Sequence, residues 1–156
     1  MFKFNKKKKK GPSAESAVVF YFDEILDMID IAKGAFFKEN DPFILIVSSE
    51  KHEDVLQIIN RQMAEETKSD TDEFGISLCL EFDLSDKADE VKFSKLKQHK
   101  NFGSFVKKEE EGITFYTILL PHDSEQAAHI CSTVMVEVFG NKKNDNVHTE
   151  FYDVEE

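Results

Sequence analysis

Two short, continuously apolar runs constrain the fold of this chain most strongly. Residues 43–47 (FILIV) and 113–120 (ITFYTILL) are apolar or aromatic at almost every position. An apolar run of this length without polar alternation is typical of a strand that is covered on both faces. The sequence therefore predicts a sheet in which these two runs are the central strands, with a layer of structure on each side.

Two further stretches have the pattern of strands that are less deeply buried. Residues 76–84 alternate strictly between apolar and polar side chains, and residues 147–154 mix the two classes. A period of two places alternate side chains on opposite faces of a sheet. We therefore assign both stretches to the edges of the predicted sheet.

Residues at helical spacing separate these strands. Behind the first run, with Ser48 and Ser49 as candidate N-caps, an apolar helix face is predicted at Val55, Leu56, Ile59 and Met63. Behind residue 120, Asp123 is a candidate N-cap, and Gln126 occupies the matching position of a capping box. Each pair of strands is thus predicted to be joined through a helix.

The order strand–helix–strand, repeated once, predicts an α+β sandwich. Two such units in one small domain indicate a ferredoxin-like β-α-β-β-α-β sheet, with strand order 4-1-3-2 and both helices on one face. An apolar stripe predicts an additional N-terminal helix over about residues 13–38, which we expect to cover the second face. Residues 85–112 are predicted to form an irregular, lysine-rich insertion, in which Phe105–Val106 followed by Glu109–Gly112 can start a hairpin into the next strand.

The charge of the chain is divided between a basic tail and an acidic body. Residues 1–11 carry six lysines and are predicted to be disordered, and residues 12–156 are predicted to form a single domain. The net charge is −11, and removing the first ten residues with their six positive charges leaves −17 on the remaining 146 residues. A magnitude of about 2–8 is sufficient for the solubility of a small domain. The excess negative charge is the strongest functional signal in the sequence.

An acidic body attracts basic surfaces and repels nucleic acid and anionic lipid. We therefore predict a non-catalytic binding or regulatory domain whose partner is a protein with a basic surface. The candidate contact residues are three aspartates on one face of the predicted N-terminal helix: Asp23, Asp27 and Asp30. We expect a cytoplasmic location, because the sequence has neither a signal-peptide pattern nor a run of ~20 apolar residues that could span a bilayer.

The tail supports a second hypothesis. It combines aromatic residues with lysines, and each lysine near an anionic surface contributes about 1 kcal/mol before screening by salt. The tail would then direct a peripheral module to RNA or to anionic lipid at the inner face of the membrane. The candidate contact residues are Phe2, Lys3, Phe4, Lys6, Lys7, Lys8, Lys9 and Lys10.

Catalytic, metal and cofactor sites lack the expected sequence patterns. The glycines form neither a dinucleotide-binding fingerprint nor a P-loop, and the histidines do not have the spacing of metal ligands. We predict no cofactor, no metal and no catalytic residue, and we predict that Cys79 and Cys131 are buried thiols. A small enzyme with a site near His122, at the corner between a strand and a helix, is the third hypothesis.

Residues 100–106 resemble in part the aromatic strand motif of RNA-recognition domains. Asn101 replaces the first glycine of that motif, and Ser104 is an extra residue. A strand is predicted to follow, where that family has a helix. Since the acidic body also opposes phosphate, we do not expect specific nucleic-acid binding.

Overall fold

The computed structural model describes residues 20–39, 43–50, 55–60 and 76–153. The elements, in chain order, are α1 (Asp23–Glu39), β1 (Phe43–Ser49), β2 (Leu56–Asn60), β3 (Ile76–Phe82), α2 (Lys87–Lys97), β4 (Val106–Glu110), β5 (Ile113–Leu119), α3 (Ser124–Glu137) and β6 (Val147–Asp153). A short 3-10 turn at Phe102–Ser104 precedes β4. These residues form an α+β architecture.

The six described strands form one antiparallel sheet with the order β4-β5-β3-β2-β1-β6. β1, β2 and β3 form a meander, β5 pairs with β3, and β6 returns beside β1. β4 and β5 form a hairpin whose turn residues, Glu111 and Gly112, both have positive φ angles of 52° and 84°. Such a turn matches the twist of the two strands it joins. β4 is an outer strand, and all five of its residues are exposed.

The helices pack on one face of this sheet and share one core. α1 lies beside α3 and over β1 and β6, whereas α2 contacts α3 and β3. The buried side chains of the helices meet a row of paired residues that crosses the sheet. This row consists of Phe151, Leu45, Ile58, Leu78 and Ile118.

The opposite face of the sheet, called here the open face, carries no helix in the part of the chain that the structure describes. A second, smaller apolar cluster lies on it. The cluster consists of Ile59 and Cys79, with Ile44 and Phe115 packed against them. The two apolar faces explain why several strands read as continuously apolar in the sequence.

The predicted ferredoxin-like strand order is wrong. The stretch that we assigned to a helix after the first strand contains β2, in which Leu56 and Ile58 face the helices while Gln57 and Ile59 face the other way. This strand is only five residues long, and a short apolar run fits helical and strand periods equally well. As a result, β3 is a central strand rather than an edge, whereas β6 is an edge as predicted.

The irregular insertion predicted over residues 85–112 is also wrong. It contains α2, the 3-10 turn and β4. Asp86 is the N-cap of α2, and its Oδ1 accepts hydrogen bonds from the N–H groups of Ala88 (2.8 Å) and Asp89 (3.2 Å). Phe93 anchors the helix by stacking on Tyr116, with ring centroids 5.3 Å apart. α2 and the 3-10 turn are therefore packed against the core, whereas β4 is exposed.

The N-terminal helix differs from the prediction in its start and its position. α1 begins at Asp23, and the residues from 13 to 19 lie outside the described part of the chain. The backbone N–H of Phe22, just before the helix, donates to Ser132 Oγ of α3 at 3.0 Å. α1 consequently lies beside α3 on the same face of the sheet, instead of covering the second face.

Leu78 lies in the middle of the buried row, and Leu78→Ala should lower the free energy of unfolding by about 2–5 kcal/mol because it leaves a cavity there. The control is Val91→Ala on the outer side of α2, where the residue is 56% exposed. This control should change the free energy by less than about 0.5 kcal/mol. Urea denaturation followed by circular dichroism measures both, and equal effects would contradict the core described here.

Candidate functional site

The outward side of α1 forms an acidic ridge, defined as Asp23, Asp27 and Asp30. The inner side of the helix is a buried stripe that consists of Ile25, Ile29 and Ala32. Spacings of four and three residues place the aspartates along one line of the helix surface, opposite that stripe. Asp23 and Glu24 occupy the first turn, where the helix dipole favours carboxylates. The spacing of the sequence thus brings the three predicted contact residues together.

The described residues place no counter-charge on the ridge. Each of the three aspartates is exposed. Within residues 20–39, 43–50, 55–60 and 76–153, none of them forms an ion pair or a side-chain hydrogen bond. Aspartates four residues apart on a helix repel each other slightly. Within the part of the chain that the structure describes, the ridge is therefore a surface of unpaired negative charge.

α3 contributes a further carboxylate beside the ridge. Desolvation raises the pKa of the Tyr21 hydroxyl, and the charges of Glu125 and then Asp23 raise it further. Both carboxylates therefore lie near the same phenol. Glu125 is exposed in the first turn of α3, the helix that packs beside α1. No pattern in the sequence signals this neighbour, because 102 positions separate it from Asp23 along the chain.

Two side chains flank the ridge in different ways. Ile31, one turn after Asp27, is 53% exposed and offers apolar surface next to the carboxylates. Lys33 is the single cation in residues 20–34. Its Nζ lies 2.6 Å from the carbonyl oxygen of His122 and 2.9 Å from Ser124 Oγ. The lysine is thus directed to the start of α3 rather than to the ridge.

An open pocket of about 470 Å³ lies beside His122, where β5 leads into α3. Its lining consists of Asn101, Ser104, Ile118, Leu119, Leu120, Pro121, His122 and Ile130. Asn101 Oδ1 is buried there without a hydrogen-bond partner among the residues that the structure describes. The lining contains one hydroxyl, that of Ser104, and neither a carboxylate nor a thiol.

The two cysteines are buried, as predicted, and do not form a disulfide. Burial raises the pKa of the Cys131 thiol to about 12. Since the thiolate is the reactive form, this cysteine is inert near neutral pH. Cys79 lies on the open face, on the other side of the sheet from Cys131.

His99 forms a buried polar joint between α2 and α3, which the sequence does not reveal. The N–H of Asn101 donates to His99 Nδ1 at 3.1 Å, which leaves the proton of the neutral ring on Nε2. Nε2 then donates to Thr133 Oγ1 at 3.1 Å, and the Thr133 hydroxyl donates to the carbonyl of Ile130 at 2.9 Å. The network is complete only when the imidazole is neutral.

Three further site predictions have separate outcomes. No group of three or more His, Cys, Asp or Glu residues that could hold a metal ion occurs in the described ranges. No helix in those ranges combines the length and apolar character needed to cross a membrane. The proposed tail contacts, Phe2, Lys3, Phe4, Lys6, Lys7, Lys8, Lys9 and Lys10, lie outside the residues that the structure describes.

We expect acid to destabilise the fold through His99. Burial is the largest influence on its pKa and lowers it. The charge of Glu137 raises the pKa, whereas those of Lys100 and His129 lower it, and the net result is a pKa below 6.5. Below pH 6.5 the histidine of the unfolded chain binds a proton that His99 of the folded chain does not. The stability that the neutral His99 contributes is therefore complete above pH 6.5. It is lost as the pH falls towards the lowered pKa of the folded state. At pH 5.5 the loss is up to about 1.4 kcal/mol.

Urea unfolding of wild type and His99→Gln at pH 7.5 and 5.5 measures this contribution. Glutamine does not titrate, so the stability difference between the two proteins should shrink at the lower pH. Carboxylates that titrate in the same range affect both proteins and cancel in the comparison. An equal loss of stability in both proteins would contradict the role assigned to the His99 joint.

A scan against protein-family models, a search of curated proteins and a search of solved structures each return no match for this chain. Its function must therefore be argued from the geometry and charge of the surfaces described above.

Proposed function

We propose that this chain is a non-catalytic binding domain that recognises a protein with a basic surface, through the acidic ridge and Glu125. The observation that carries the proposal is the charge of the ridge. Its exposed carboxylates lie along one line of α1. Lys33 of the same helix donates hydrogen bonds to His122 and Ser124 at the start of α3. A basic partner would relieve the repulsion among these carboxylates. It would also be steered to them over distances beyond direct contact.

The shape of the ridge indicates the kind of partner surface that fits. Asp23 and Asp30 are seven residues apart, which corresponds to about 10 Å along a helix. A helix or strand of the partner that carries lysines or arginines over about this length would match the ridge. Ile31 adds an apolar contact, and protein interfaces combine such contacts with a charged rim.

The chemistry of the remaining functional groups supports a non-catalytic role. The Cys131 thiol is buried with a raised pKa, and the His99 imidazole is held between two helices. The proposal includes a cytoplasmic location, because buried thiols of this kind are typical of a reducing compartment. Tail-directed binding to anionic lipid or RNA is the alternative that the experiment must separate from ridge-directed binding.

The test is affinity capture from a native lysate at low and raised salt, followed by titration of the captured protein. Four forms are compared: the full chain, residues 12–156, Asp27→Asn/Asp30→Asn, and Glu90→Gln/Glu109→Gln. The last form removes two negative charges away from the ridge and is the matched control. Asp27→Asn/Asp30→Asn should raise the Kd by about 5–30-fold, which corresponds to ~1–2 kcal/mol for two surface charges.

We expect a basic protein at stoichiometric amounts, retained by residues 12–156 and by the control, and released by salt. Salt release follows because exposed charges are screened within about 8 Å at physiological ionic strength. Capture that requires residues 1–11 and does not respond to Asp27→Asn/Asp30→Asn would overturn the proposal in favour of the tail.

A further inference from the structure

The open face of the sheet has no role in the binding proposed above, yet its centre is buried and combines apolar side chains with the hydroxyls of Ser77 and Thr117. Ser77 is 0% exposed and Cys79 is 9% exposed, and Ile59 beside them is also buried. No described helix or strand lies over these side chains. Towards the two outer strands the same face is open, with Val106 36% exposed and Tyr152 46% exposed. Burial confined to the centre of a sheet face indicates a cover over that centre.

Negative charge surrounds the apolar centre. Cross-strand pairing puts Glu81 opposite Phe115, Glu110 opposite Ile113 and Glu150 opposite Ile46, which sets all three carboxylates on the open face. Lys108 is the lysine that the same pairing puts on this face. A segment that covers the face should therefore be apolar on one side and positively charged.

We propose that the open face is the docking site of the chain's own N-terminal segment, residues 1–19. Among the stretches outside the described residues, this segment combines six lysines with one glutamate. Residues 61–75, by contrast, carry five acidic and two basic side chains, so their charge opposes the carboxylates of the open face. Charge complementarity thus selects the N-terminal segment as the occupant.

The aromatic pattern of the segment fits the same face. Phe2 and Phe4 alternate with Lys3 and Asn5. In an extended chain such alternation directs both aromatic rings to one side and the polar side chains to the other. The rings can pack on the apolar centre while the lysines that follow reach the surrounding carboxylates.

The segment is long enough to reach the face. It joins the described chain at Phe20, whose carbonyl oxygen lies 2.8 Å from His129 Nδ1 of α3. Lys143, in the loop before the outer strand β6, lies with its Nζ 5.2 Å from the centroid of the Phe20 ring. The segment therefore starts near an edge of the sheet, and nineteen extended residues span about 60 Å. Six strands at a spacing of about 4.8 Å are only about 24 Å across.

Cys79 reports whether the face is covered. The full chain and residues 12–156 are treated with iodoacetamide, and mass spectrometry measures the rate of modification at each cysteine. Cys79 should be modified about ten times faster in residues 12–156, which lack the lysines of the segment, than in the full chain. A tenfold change corresponds to about 1.4 kcal/mol of docking free energy. Raised salt should increase the rate in the full chain alone. Cys131 should stay unmodified in every form, which verifies that the fold is intact.

Two paired variants locate the contact on the full chain. Glu110→Gln/Glu150→Gln should increase the Cys79 rate, whereas the charge-matched Asp27→Asn/Asp30→Asn should not. A synthetic peptide of residues 1–19, added to residues 12–156, should slow the modification again.

Three results would overturn the proposal. The first is an equal Cys79 rate with and without the tail. The second is an equal effect of the two paired variants, which would show that overall charge, and not the carboxylates of the open face, controls the rate. The third is protection that increases with protein concentration, which would identify a second copy of the chain as the cover. None of these results depends on whether the ridge binds a basic partner.

Discussion

The packing of α3 against α1, side by side on one face of the sheet, is the contact on which the rest of this structure depends. Three of the buried residues of α3, Ala127, Ala128 and Ser132, are small, so the neighbouring backbone can approach closely. Ser132 accepts the hydrogen bond of the Phe22 N–H, which fixes the chain just before α1 begins. Because the inner stripe of α1 is held against α3 and the sheet, the aspartates on the opposite side of the helix face solvent. The acidic ridge is thus a consequence of a buried contact on the other side of the same helix.

The sequence predicted those elements whose signals are local. The alternation over residues 76–84 and the apolar runs at 43–47 and 113–120 correspond to strands, and Asp123 caps α3 as its side chain indicated. The aspartates of the ridge lie on one face because helical spacing alone decides that. In each case a few neighbouring residues contain the whole physical cause.

The elements that were predicted wrongly depend on distant residues. β2 is a strand because Ile58 pairs between Leu45 and Leu78, a relation that its own five residues cannot express. α2 is a helix of eleven residues whose lysines are mostly exposed, with Leu96 its one buried residue. The helical periodicity of its apolar residues is therefore weak. The helix is held on the sheet by the stacking of Phe93 on Tyr116, a contact that its own sequence does not reveal. Glu125, the His122 pocket and the His99 joint likewise exist only after residues far apart in the chain have met.

The hairpin that ends the sheet has a consequence for the protein in a crowded cell. An outer strand offers unpaired backbone groups to which another chain can add, and this is a common route to aggregation. In Val106–Glu110 four of the five residues are charged, and all are exposed. An incoming strand would have to desolvate these charges on both sides of the ribbon, and this opposes polymerisation through that edge. The charged hairpin thus protects this edge of the sheet against the addition of further strands.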